Sequence, residues 1–153
     1  MRYIGIDPGK SGSVSLIANE LVHVCPTPLC EKEYDVAKMY EMLDDIKNDS
    51  FCIIERAQAM PGQGTVSMFT FGKGYGLWLM ALAACKIPFQ VIHSRVWTRK
   101  MLDGAPGEGK ERAYLVARRL FPNWDPKLKK EHEYADSILL AEYGRRLNIG
   151  EDK

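Results

Sequence analysis

The feature that most constrains the fold of this chain is a carboxylate carried on an apolar strand. The segment "YIGIDPGKSGSVSLI", residues 3–17, is an apolar run that delivers Asp7, turns through Pro8, Gly9 and Gly12, and resumes as a second apolar run. Pro and Gly at that spacing predict a tight reversal, so residues 2–7 and 13–18 are expected to pair as strands, with a third around 20–24. An acid at the end of a buried strand needs a reason to be there. It either organises the turn or meets a cation, and the segment alone leaves both roles open.

The rest of the chain alternates helices and strands. Residues 33–49 place Val36, Met39, Tyr40, Leu43 and Ile46 at helical spacing with acids on the opposite side, which predicts an amphipathic helix. "FCIIE", 51–55, is a short apolar strand that again ends in a carboxylate, Glu55. The Gly-, Pro-, Gln- and Met-rich stretch 57–71 reads as a loop, and 74–86 as a helix apolar nearly all round. A strand over 87–92, a helix over 94–102 with a Ser N-cap, a flexible turn at 104–109, a basic-faced helix over 110–121 and a last helix over 132–147 complete the reading. The final helix has acids in its first turn and arginines in its last, as the helix dipole favours. The interleaving indicates one mixed α/β domain over residues 1–153, with no internal repeat or linker.

Composition narrows the setting. No apolar run approaches the roughly 20 residues that span a bilayer, and no basic segment with a following apolar stretch opens the chain, so no membrane association and a cytoplasmic location are expected. Cys25, Cys30, Cys52 and Cys85 form no CxxC pair, which suits reduced structural thiols. The net charge is +1, yet residues 1–50 hold 5 basic and 9 acidic side chains while residues 86–130 hold 11 basic and 4 acidic. The second segment fits either a phosphate-backbone site or the solvated faces of ordinary helices.

Acids arrive from three separate apolar elements: Asp7, Glu55, and the pair Glu133 and Asp136. The pair is three residues apart, so on a helix both project from one face. Several ionised carboxylates share a buried pocket only if a cation offsets their repulsion. An all-oxygen set of this size suits Mg²⁺, with Mn²⁺ as a substitute, and two such ions about 3.5–4 Å apart are the usual machinery of in-line phosphodiester hydrolysis. His132 is either a group that orients water or contacts the scissile phosphate, or an exposed histidine at a helix start. Lys10, in the turn after Asp7, is a further candidate phosphate contact.

The motifs "IGIDPGKSG" at 4–12, "CIIE" at 52–55 with the following loop and helix, and "HEYADSILLAEYG" at 132–144 together resemble the RuvC-type Holliday junction resolvases. The resemblance covers nearly the whole chain. It implies an RNase H-like fold, a central mixed five-stranded sheet flanked by helices. It also implies a homodimer whose two Mg²⁺-dependent sites cut opposed strands of a four-way DNA junction. Carried over by position, the metal-binding acids are Asp7, Glu55, Glu133 and Asp136. Many relatives have Asp at the position of Glu133, so His132 and Glu133 both stand as candidates for the third ligand. Lys110 matches a lysine that contacts DNA near the scissile phosphate. A second such lysine falls near Trp97, where this chain offers Arg95, Arg99 and Lys100 instead. The aromatic side chain that the family uses on junction bases has Phe69 and Phe71 as its nearest counterparts, which are equally readable as core cover.

The apolar surplus of helix 74–86 is covered either by an isologous contact between two such helices, with Gly74 and Gly76 permitting close approach, or by burial within a single chain; the first is the expected dimer contact. A short chain of this kind resembles resolvases of phages and prophages, hence a bacterial setting. Two other readings are open: a nuclease of the same fold acting on other branched DNA or RNA:DNA hybrids, and an actin-like nucleotide-binding module.

Overall fold

The computed structural model of the chain describes residues 1–147. Its centre is β1 (Arg2–Asp7), antiparallel to β2 (Ser13–Ala18) and parallel to β6 (Ser50–Glu55). Outside these lie β3 (Leu21–Pro26) and β7 (Phe89–Ile92), so the sheet is mixed, five-stranded and ordered β3-β2-β1-β6-β7. Asn19 and Glu20 both take positive φ, 49° and 65°, which closes the β2–β3 hairpin with a two-residue turn matched to strand twist. A second two-residue turn, Glu31-Lys32, joins β4 (Leu29–Cys30) to β5 (Glu33–Tyr34) in a small separate hairpin. That hairpin escapes the sequence reading because neither turn residue is the Gly or Asn that signals positive φ.

Successive side chains on a strand point to opposite faces, and this rule sorts the core. Ile4, Ile6, Cys52 and Ile54 face one way and pack with α1 (Val36–Ile46) and α2 (Thr65–Ala84). Tyr3, Phe51 and Ile53 face the other way, under α3 (Ser94–Met101), α4 (Gly109–Leu120) and α5 (Ala135–Arg146). Asp7 and Glu55 continue the second series, so both acids emerge on the α5 side.

Helix α5 lies directly on the central strand, and Gly5 makes that possible. A Cβ at Gly5 would sit 2.0 Å from the Ser137 carbonyl oxygen and 2.5 Å from the Ala141 nitrogen. The contact is locked by hydroxyls: Ser137 Oγ donates to the Tyr134 carbonyl at 2.9 Å, which leaves it to accept from Ser13 at 2.6 Å and Ser15 at 2.5 Å. All three serines are fully buried and satisfied.

Four boundaries depart from the sequence reading. The first helix is confined to 36–46, capped by the Asp35 side chain on the Lys38 N–H, because 33–34 belong to β5. The expected loop 57–71 ends at Gly64, and α2 starts at Thr65 rather than 74. Tertiary contact overrides the poor helix propensity of Thr, Val and Phe here: the Tyr34 hydroxyl donates to the Thr70 carbonyl at 3.1 Å and its ring covers Gly74. Gly74 therefore serves a contact within the chain, and of the two glycines only Gly76 is exposed. His93, not Ser94, is the N-cap of α3. The expected helix 132–147 is a 3-10 turn over Lys129–Tyr134 followed by α5, so Glu133 and Asp136 do not share one helical face. The four cysteines are free, Cys52 and Cys85 buried, Cys25 and Cys30 exposed. Among the described residues no helix is long and apolar enough to cross a membrane.

Gly5→Ala is expected to cost about 3 kcal/mol or more of unfolding free energy, the upper range of overpacking, because both clashes are with backbone. Gly72→Ala, in open space within α2, should instead gain up to about 1 kcal/mol. Urea unfolding of the two variants checks the contrast.

Candidate active site

β1 and β6 run parallel with Ile6 opposite Ile54, so Asp7 and Glu55 are the next residues at the carboxyl ends of neighbouring strands. Asp136 is in the first turn of α5, the helix that Gly5 seats on β1. Three acids distant in sequence thus converge at one end of the sheet. The turn after Asp7 is shaped to keep this end open: Gly9 has φ +135°, and a Cβ at Gly12 would stand 2.0 Å from the Asp7 carbonyl oxygen. A cleft of about 530 Å³ results, lined by Asp7, Lys10, Phe71, Lys110 and Asp136 among others.

The electrostatics of this cleft are unbalanced. Burial pushes the Asp7 carboxyl well above its usual range, and Asp136, Glu55 and Glu133 push it the same way, with Lys110 opposing. Burial, then Glu55, raises Asp136 to about 6. Glu55 is raised by burial, against a hydrogen bond from Trp97. Among the described residues none donates a hydrogen bond to the side chain of Asp7 or Asp136. Lys110 is the cation that favours their ionised forms, and it acts at a distance because it is ion-paired with Glu133.

Glu55 and Glu133 are each turned to a different neighbour. The Trp97 indole N–H donates to Glu55 Oε2 at 2.6 Å, and Trp97 is only 2% exposed. Lys110 is paired with Glu133 at 2.9 Å, with both side chains partly exposed. As the side chains stand, no three Asp, Glu, His or Cys among the described residues are gathered closely enough to hold an ion. Glu55 and Glu133 are drawn to Trp97 and Lys110 instead.

His132 lies outside this cleft. Its ring stacks on Tyr114 with centroids 3.8 Å apart and planes 7° from parallel, in a neighbouring cleft shared with Lys110, Lys129, Lys130 and Glu133. Glu131 accepts the backbone N–H groups of Lys127 and Leu128, at 2.7 and 3.0 Å, and so fixes the entry to the 3-10 turn. Of the expected DNA contacts, Lys110 lines both clefts. Lys10 lines the first cleft while paired with Glu33 at 3.0 Å.

Arg95, Arg99 and Lys100 are exposed on α3 but line neither of these clefts. Lys100 lies 5.6 Å over the ring of Tyr143, about two turns along α5 from Asp136. Phe71 meets Gly9 at the cleft wall, whereas Phe69 is 74% exposed. The sequence reading misses Trp97, the serine cluster and Tyr114. Trp97 and Tyr114 are indistinguishable from core positions by periodicity, and isolated serines carry no pattern.

This architecture, a mixed five-stranded sheet with helices on both faces and acids at the carboxyl ends of its parallel strands, is an RNase H-like fold. Among solved structures, Thermus thermophilus RuvC in complex with a Holliday junction substrate superposes with a TM-score of 0.69 at 16% identity, over 97% of this chain and 96% of that one. A second Thermus thermophilus RuvC structure matches with a TM-score of 0.65 at 19% identity, over 96% of each chain. The fold is therefore that of RuvC. One curated protein, the chloroplastic Holliday junction resolvase MOC1 of Chlamydomonas reinhardtii, is 33% identical over 91 residues, 58% of this chain. The match spans 10% of that relative's length. No family model matches.

The raised carboxyls set a pH dependence. An unfolded Asp titrates near about 3.9, so between that value and about 6 the folded chain holds a proton at Asp136 that the unfolded chain does not. This contribution is full at low pH and is lost as pH rises through about 6. The chelator-treated protein should therefore gain stability from this group as pH falls from about 7 to about 5, and Asp136→Asn should remove that part of the pH dependence of the thermal melts while leaving the part due to Asp7.

Proposed function

We propose that the chain is a divalent-metal-dependent endonuclease that resolves four-way DNA junctions, a homodimer making paired nicks in opposed strands. The observation that carries this reading is the convergence of Asp7, Glu55 and Asp136, partly buried and with Lys110 as their opposing charge, at one end of a RuvC fold. The family likeness of the MOC1 segment, from a protein named as a Holliday junction resolvase, supports the choice of substrate.

Asp7, Glu55, Asp136 and Glu133 would hold Mg²⁺, with Mn²⁺ as a substitute. The donor set fits such ions: it is all carboxylate oxygen, and burial with mutual repulsion leaves it in need of positive charge. Ions of this kind supply Lewis acidity for hydrolysis of a phosphodiester. The chain's own residues do the positioning. Asp7, on the rigid central strand, and Asp136, on the helix locked to it, set the distance between the two walls of the cleft. Lys110, paired with Glu133 in the free protein, would serve as a DNA phosphate contact. Lys10, released from Glu33, is a second phosphate contact. His132, held against Tyr114, belongs to the flanking cleft and contacts the strand beyond the scissile phosphate.

The dimer reading rests on α2. Val66, Phe69, Lys73, Gly76 and Met80 follow a three-and-four spacing along one exposed face, with Val66 81% and Met80 66% exposed. Such a stripe suits an isologous contact, and a two-fold dimer matches a junction with two equivalent strands. Phe69, on this stripe, is 74% exposed between Ser67 and Thr70 of the cleft lining, and a base-stacking role for it is physically reasonable. Residues 1–153 then act as a single nuclease domain in a bacterial cytoplasm, phage-encoded or cellular.

Incubation with a four-way junction, a linear duplex and an RNA:DNA hybrid, each with Mg²⁺ or EDTA, tests the proposal. Paired symmetric nicks in the junction alone, lost in EDTA and in Asp7→Asn while junction binding persists, are expected. Cutting retained in EDTA contradicts the metal mechanism, and cutting confined to the hybrid contradicts the substrate.

A further inference from the structure

The contact between Trp97 and Glu55 goes beyond core packing. Trp97 lies one turn into α3, beneath the sheet end, and its Nε1–H donates to Glu55 Oε2 at 2.6 Å from a position shielded from water. Glu55 has three rotatable side-chain bonds and stands beside Asp7 and Asp136, whose charges repel it. Without a holding contact an ionised Glu55 would swing toward solvent, as Glu133 does toward Lys110. A donor at this point can be cationic or neutral, and the difference matters. A lysine or arginine would neutralise the acid and compete with any ion that the acids bind. An indole N–H carries no charge, does not ligate metals, and engages one carboxylate oxygen while leaving Oε1 without a donor among the described residues.

We propose that Trp97 is a positioning residue for Glu55, fixing it through one oxygen so that the other is presented as a ready ligand for the divalent ion. The inference rests on the reading of Glu55 as an ion ligand, and goes beyond it by assigning the group that orients that ligand. Partners that orient metal ligands from behind typically contribute about 10–100-fold to ion affinity. Trp97→Phe keeps an aromatic ring in the core and deletes the donor, so it separates orientation from packing.

The test is Mn²⁺ titration of the full chain, followed by thermal shift on wild type, Trp97→Phe, Glu55→Gln and the double variant. Trp97→Phe should weaken the Mn²⁺ response about tenfold and raise the Mg²⁺ concentration for half-maximal junction cutting by a similar factor. Junction affinity in EDTA should be unchanged, and in the Glu55→Gln background the Trp97→Phe substitution should have no further effect on the Mn²⁺ response. A Trp97→Phe protein that answers Mn²⁺ as wild type does would overturn the role of Trp97 alone. A wild-type chain indifferent to Mn²⁺, or a Glu55→Gln variant that responds normally, would instead overturn the ligand reading and the inference with it. Should the Phe variant fail to fold, the indole N–H resonance of Trp97 in the intact protein reads the same bond. It should move in Glu55→Gln and on Mg²⁺ addition, and a resonance unmoved by both would overturn the proposal.

Discussion

The structure depends on the close approach of α5 to β1. A helix usually stands off a sheet by the length of the side chains between them, but Gly5 removes one side chain and Ser137 turns its hydroxyl to the sheet to be met by Ser13 and Ser15. Asp136, next to Ser137, is thereby held beside a strand that ends in Asp7. Gly144 repeats the device near the other end of the helix, where a Cβ would stand 2.9 Å from Ile53. The helix cannot slide or rise without breaking these contacts, and the relative position of the acids is fixed with it.

That rigidity sets an electrostatic cost. Surface carboxylates that repel one another rotate into water, and Glu133 does so, meeting Lys110 on the way. Asp7 and Asp136 are short, partly buried and attached to the most rigid elements of the chain, so desolvation and their acidic neighbours raise both carboxyls instead. The fold therefore sets acids close together where ionisation of each disfavours ionisation of the others, which is the feature the proposed cation role rests on. Lys110, Trp97 and the Tyr114–His132 stack surround it, each holding one side chain of the site or of its margin.

Much of this is legible in the sequence. The strands over 2–7, 13–18 and 51–55 announce themselves because apolar runs bounded by turn residues have few alternatives. The acids stand out because they interrupt those runs. The convergence of Asp7 with Glu55 follows from parity and parallel pairing once the strands are neighbours. What is not legible depends on contacts between distant segments. The early start of α2 rests on Tyr34, and the 3-10 turn that separates Glu133 from Asp136 is not a pattern of spacing. Trp97 looks like any buried aromatic until Glu55 is seen beside it. Arg95, Arg99 and Lys100 are exposed on α3 and line neither cleft, a matter of rotation about the helix that composition does not record.

The central claim is that Asp7, Glu55 and Asp136 form one divalent-ion site. Crystals equilibrated with Mn²⁺ and measured near the manganese absorption edge test it most directly. Anomalous density in contact with the Asp7 and Asp136 carboxylates, with Glu55 still held by Trp97, is the predicted result. An anomalous map empty at Asp7 under Mn²⁺ concentrations that support cutting would contradict the account.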